Sequence, residues 1–278
     1  MIGNGKKNEP IQINADKEMN DIAENFNAVI KRLQNTNKDL REQSVQLMRY
    51  AQDLGLSYEK AKEEERLRNK LSRYVGANLV EKLINTKGSE IFENEKKEVT
   101  VLFADIRSFT TLSERMAAEE VVLMLNEFFG IMVDIIFKHS GILDKLVGDE
   151  LMAVFGLLSP ENDAPSNAIL SALEMQRATG ELMKLRRRQG KETFEIGIGI
   201  NTGIAIIGNI GSENRMDYTV IGDTVNTAAR FQQIAKGGEI IIGEKTYHQV
   251  QRQFNVQKKG EIKLKNKREA VKCYQVIM

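Results

Sequence analysis

The sequence predicts an α/β domain of the α+β type behind a long N-terminal coiled-coil helix. Three observations carry that prediction. Apolar residues recur every seven positions through residues 17–73. From Val99 onward, short β-branched runs alternate with stretches of helical apolar spacing. Two of those runs lead into an aspartate, Asp105 and Asp149. A buried strand tip tolerates a carboxylate only when it is paired, hydrogen-bonded or metal-bound.

Composition narrows the field of functions. The 278 residues allow one large domain or a domain with an extension. A net charge of +1 gives no electrostatic reason to expect nucleic acid as a partner. One cysteine, Cys273, excludes an internal disulfide framework and a multi-cysteine zinc site. Two distant histidines, His139 and His248, argue against a histidine-rich metal centre, so a metal here should be a hard cation on carboxylates. No signal peptide or membrane-spanning apolar run is visible, and the chain as written is expected to be soluble and cytoplasmic.

Residues 1–15 are polar and read as a flexible tail. Across 16–73 run two ladders: Phe26, Leu33, Leu40, Leu47, Leu54, Ala61, and Ile22, Val29, Thr36, Gln43, Tyr50, Ser57, Glu64, Leu71. Their offset is the a/d spacing of a coiled coil, here expected to be dimeric. The second ladder is polar in its middle, which weakens the seam and leaves its register adjustable. The stretch Lys17–Leu33 resembles the second helix of a HAMP domain. That resemblance implies an upstream membrane receptor region, with this chain on the cytosolic side of the cell membrane. Residues 74–98 read as a linker helix, running from Leu71 to Ile84, and a charged loop.

The run Val99–Ala104 reads as a buried strand, with Asp105 at its tip. A core-covering helix is expected over Ala117–Lys138, ended by Gly141. Ile142–Val147 and Leu151–Phe155 then read as two strands turning tightly at Gly148-Asp149-Glu150. Neighbouring strands lie about 5 Å apart, so two strand tips can bring Asp105 and Asp149 onto one cation pair. A helix is expected over Asp163–Gln189, with Pro165 in its first turn and a solvated basic end, Lys184 to Arg188. The glycine-rich runs Phe194–Gly203 and Ile204–Gly211 read together as another hairpin. A strand running to Gly222 precedes a helix capped by Asp223 or Thr224, which places Asn226 and Arg230 on one face. An amide and a guanidinium so placed suit a ribose and a phosphate.

In order and spacing, Phe103–Thr110, Lys145–Asp149 and Thr224–Arg230 resemble the motifs of the class III nucleotidyl cyclases, which make cyclic AMP or cyclic GMP. The resemblance covers residues 99–278. It implies a ferredoxin-like catalytic domain that works as a head-to-tail homodimer with ATP at the interface. Asp105 and Asp149, helped by the carbonyl of Ile106, would hold two Mg²⁺ or Mn²⁺ per active site. Asn226 would orient the ribose, and Arg230 would stabilise the α-phosphate. Lys265, in preference to Lys267, would hold the outer phosphates. Lys145 and Thr219 would read the base: a lysine donates to adenine N1 and a threonine hydroxyl accepts from N6. Ser108 stands where the family often has glycine, with little consequence expected. The implied function is an adenylyl cyclase, a lyase of signal transduction. The alternatives are a guanylyl cyclase and a degenerate cyclase-like module that only dimerises. Gly148–Leu151 also partly resembles the loop of diguanylate cyclases, but the Thr224–Arg230 motif has no place in that reading.

Overall fold

The computed structural model describes residues 17–75, 94–157, 163–212, 215–263 and 270–277. The chain divides into two compact units, one up to Lys70 and one from Leu71 onward. In the first, α1 (Lys17–Val75) is one continuous 59-residue helix. Its large apolar ladder residues from Ile22 to Leu54 are exposed, from 43% at Phe26 to 72% at Leu54. A leucine stripe left open along a helix is a seam in want of a partner. The expected tail and most of the expected linker helix lie outside the described residues. No described helix is long and apolar enough to cross a membrane.

The second unit is built on β1 (Glu95–Ile106), which begins four residues before the apolar run. Side chains alternate along a strand, and here both faces are covered. Leu102, Ala104 and Ile106 join one core; Val99, Val101 and Phe103 join another. That double burial explains why the run is apolar without alternation. After the short α2 (Phe109–Ser113) comes α3 (Ala118–Lys138), whose Met124, Phe128, Met132 and Ile136 are fully buried in the first core. The helix is as expected, but its end is not made by Gly141. Ser140 takes the left-handed backbone (φ 59), and Gly141 is small because a β-carbon there would strike the Phe155 ring and Ile136.

Two strands, β2 (Ile142–Val147) and β3 (Glu150–Phe155), form the expected hairpin, with Gly148 at φ 63 in the turn. Next, α4 (Ala164–Arg188) starts on an Asp163 cap that accepts from the Ser166 amide. Its basic end is only partly solvated. Arg186 is 4% exposed and bonds the Glu127 carboxylate (2.7 Å) and the Glu192 carbonyl (2.8 Å).

The glycine-rich segment is not a hairpin but one long strand, β4 (Ile196–Ser212), pairing with β1 along its first twelve residues. Its alternation never breaks. Ile196, Ile198 and Ile200 face the first core, whereas Gly197, Gly199, Gly203, Ala205 and Ile207 face the other way. The glycines are there for close approach: a β-carbon at Gly199 would collide with the backbone of Gln232, and one at Gly203 with Thr224. β4 turns instead into β5 (Arg215–Ile221).

The helix seated on those glycines is α5 (Asp223–Ile234). Neither Asp223 nor Thr224 caps it; Gly222 takes the N-cap position, and the Thr224 hydroxyl donates to the Ile204 carbonyl. The chain closes with β6 (Ile240–Gly243), α6 (Glu244–Val250), β7 (Val256–Ile262) and β8 (Val271–Val276). The eight-stranded sheet runs β2-β3-β1-β4-β6-β8-β7, with β5 branching from β4.

Candidate active site

Asp105 shares the phase of Val99, Val101 and Phe103, so it emerges on the α5 side of the sheet. Its Oδ2 accepts from the Arg107 guanidinium at 2.6 Å and from the Gln232 side-chain amide at 2.8 Å. The same guanidinium donates to the carbonyls of Gln232 and Ala235 at the C-terminal end of α5. Cations are favoured at that end of a helix. Arg107 thus ties the end of α5 to the tip of β1, a link made possible by the glycines beneath the helix.

Asp149 reaches the same place from the β2–β3 turn. Burial and the adjoining Asp105 carboxylate push its carboxyl up to about 7, against help from the backbone N–H of Ile106. Its Oδ2 is buried with no hydrogen-bond partner. Glu150 next to it is also raised, by burial and by the charge of Asp105. Two abutting carboxylates, one with an orphaned oxygen, form a site short of positive charge. The donor set fits a hard divalent cation such as Mg²⁺, which is bound by one or two carboxylates plus substrate phosphates. No larger group of potential metal ligands gathers among the described residues. The remaining positions would therefore fall to water, a backbone carbonyl such as that of Ile106, and nucleotide oxygens.

A second cluster joins Lys145 and Thr219. Thr219 is 7% exposed, and its hydroxyl donates to Asp144 Oδ2 at 2.9 Å. The Lys145 ammonium lies 3.2 Å from the same oxygen. Burial pushes the Asp144 carboxyl up, while Lys145, the Thr219 hydroxyl and the Val220 amide oppose that shift. On α5, Asn226 is exposed, and Arg230 bonds Gln233 at 2.7 Å. Lys265 lies outside the described residues.

The structure thus brings Asp105, Ile106 and Asp149 together, and Lys145 with Thr219. No hydrogen bond or ion pair links Lys145, Thr219, Asn226 or Arg230 to Asp105 or Asp149 among the described residues. Sequence reasoning passed over Arg107, Gln232 and Asp144. Arg107 was legible as a cation two residues from Asp105, just past the end of β1. Asp144 was visible as a charge beside Lys145, without its role. Gln232 gave no signal at all.

Comparisons with known proteins bear on the fold and the family. Residues 91–278 match the model of the adenylate and guanylate cyclase catalytic domain. "Adenylate cyclase 1" of Rhizobium meliloti is 30% identical over 184 residues, covering 66% of this chain and 28% of the relative. "Adenylate cyclase" of Anabaena cylindrica is 32% identical over 196 residues, covering 67% of this chain and 38% of the relative. The chain therefore spans well under half the length of these curated relatives. Among solved structures, the adenylyl cyclase CyaB from P. aeruginosa superposes with a TM-score of 0.65 at 38% identity, over 67% of this chain and 96% of that one. The guanylyl cyclase Cya2 gives 0.63 at 35% identity, over 66% and 93%. With the family model and the fold in agreement, this chain belongs to the family of adenylate and guanylate cyclase catalytic domains.

Proposed function

We propose that the protein is an adenylyl cyclase that converts ATP to 3′,5′-cyclic AMP and pyrophosphate at sites shared between two copies of the chain. The observation that carries the reading is the abutting pair Asp105 and Asp149, with an orphaned oxygen on the second. Two Mg²⁺ or Mn²⁺ held there would supply acidification of the ribose 3′-OH and charge stabilisation at the α-phosphate. The chain's own residues do the rest. Asn226 orients the ribose. Arg230 offsets the charge that grows on the α-phosphate as the 3′-oxygen attacks and the bond to pyrophosphate breaks. The hydroxyl proton goes to solvent. Lys265 holds the outer phosphates.

The head-to-tail homodimer is supported by the want of any hydrogen bond or ion pair between the two clusters among the described residues. It is also supported by exposed apolar side chains on the β2–β3 and β4–β5 ribbons. Leu146, Val147, Ile204, Ile206, Met216 and Ile221 are each at least 42% exposed. Apolar patches of this kind mark interaction surfaces. In the dimer, one chain gives Asp105 and Asp149, and the other gives Lys145, Thr219, Asn226 and Arg230. The open seam of α1 fits a parallel coiled coil that couples this interface to an upstream receptor segment.

Adenine is favoured over guanine because Lys145 presents N–H groups to N1 and Thr219 an acceptor to N6. Product analysis with ATP and GTP, under Mg²⁺ and Mn²⁺, tests the reading. Cyclic AMP is expected as the main product. Cyclic GMP as the main product would support a guanylyl cyclase, and no product from either would support a degenerate module.

A further inference from the structure

We infer that Asp144 sets the hydrogen-bonding polarity of the base pocket: it accepts the hydrogen bond of the Thr219 hydroxyl, so that Thr219 can meet the base only as an acceptor. This inference rests on the adenine reading above and assigns its selectivity to a residue that does not touch the nucleotide.

The placement of Asp144 comes from a bulge. In the β2–β3 ladder Leu143 pairs with Ala153 and Lys145 with Met152, which leaves Asp144 as the extra residue. In a regular strand residues 144 and 145 would point to opposite faces. A bulge re-aims one of them, and here both reach the same place, with the Lys145 ammonium 3.2 Å from Asp144 Oδ2. The Asp144 side chain is 5% exposed. Its carboxylate also collects the Thr219 hydroxyl at 2.9 Å and the Val220 amide, both from β5, a strand that does not pair with β2. One carboxylate therefore meets both base-reading side chains, but only the hydroxyl has a single hydrogen to give.

The consequence is chemical. A threonine hydroxyl has one hydrogen and two lone pairs, and it normally rotates to suit its partner. With the hydrogen given to Asp144, only lone pairs remain for a base. Lys145 has three N–H groups, so it can satisfy Asp144 and still donate outward. The pocket then shows a donor beside an acceptor, which matches adenine N1 and N6–H. Guanine offers N1–H and O6, and both would meet groups of their own kind. A site whose polar groups are left unpaired rejects the wrong ligand far better than one that differs only in shape. Without Asp144 the hydroxyl could turn and donate to O6.

The test compares kcat/KM for ATP and GTP in wild type, Asp144→Ala, Thr219→Val and the double variant, with folding followed by thermal melting. Asp144→Ala should lower the ATP-over-GTP preference by about tenfold or more. In the Thr219→Val background the same change should leave the ratio within about twofold, because the effect runs through that hydroxyl. A purely structural loss would depress both substrates together in either background. Asp144→Asn keeps the side-chain volume and weakens the acceptor; it should lose part of the preference, at least about threefold. An unchanged ratio in the folded alanine variant would overturn the inference. Should that variant fail to fold, an unchanged ratio in the asparagine variant would overturn it. So would a further drop of tenfold in the Thr219→Val background. A wild type that prefers GTP would instead overturn the adenine reading itself, and this inference with it.

Discussion

Asp149 lies against Asp105 at the junction of the β2–β3 turn and the tip of β1, and that contact, with burial, lifts its carboxyl to about 7. The direction of the shift fixes a pH dependence. As pH rises through the ordinary carboxylate range, the unfolded chain gives up its proton while the metal-free folded chain keeps it. The contribution of Asp149 to stability should therefore fall between about pH 4 and pH 7 and level off above. Divalent cations compete with that proton, so Mn²⁺ affinity measured by calorimetry should weaken as pH drops below about 7, approaching tenfold per pH unit. Asp149→Asn should abolish activity yet stabilise the metal-free fold at neutral pH by about 1 kcal/mol, since solvent screening leaves only part of the full shift. Melting curves in chelator and in Mg²⁺ would show both effects. The slope should be shallower in Asp149→Asn than in wild type, and an equal slope would assign it elsewhere, to Glu150 or Asp144.

Ser108 should be a small, removable strain. It sits at φ 57, ψ 32, in the left-handed region. Side chains carry a penalty there that glycine does not. Ser108→Gly is expected to stabilise the domain by roughly 0.5–1 kcal/mol, a Tm rise of about 2–4 °C. A lower Tm would show that the serine side chain contributes more than its backbone costs.

Gly199 and Gly180 should respond to alanine in opposite ways. A methyl at Gly199 has nowhere to go but into the backbone of α5. Lifting that helix would disturb Gln232 at Asp105 and displace Asn226 and Arg230. A loss of about 1–3 kcal/mol and a marked fall in kcat are expected. Gly180 lies exposed within α4, with open space around its missing β-carbon. There alanine should add about 0.8–1 kcal/mol through helix propensity and leave activity alone. Denaturant titration of the two variants side by side makes the comparison.

Mixed dimers address the shared site. Asp149→Ala and Arg230→Ala chains should each be inactive alone. Random mixing makes half the dimers mixed, each with one whole site of two, so activity should recover to about a quarter of wild type. Absence of recovery despite demonstrated exchange of chains would place both groups in the same subunit's site.

The proposed coiled coil makes a further demand. If its register sets how the catalytic halves meet, inserting one or two residues near Ser57 should change basal cyclase activity several-fold. An insertion series assayed for product, with unchanged turnover throughout, would remove α1 from any signalling role.

The sequence by itself determined whatever depends on local periodicity and on ordered motifs. The β1 run, the spans of α3 and α4, the Gly148 turn, the long first helix and the aspartate pair were all legible before any coordinate, because each is written in neighbouring residues. The glycines of β4 were not, since a glycine leaves the same mark whether it makes a turn or yields space to a helix. Only the seat of α5 decides between them. The partners of Asp105 and Asp144 belonged to tertiary structure too. Gln232 stands 127 positions from Asp105, and Thr219 stands 75 from Asp144. Contacts at that separation arise from strand order and a single bulge, which no local pattern encodes.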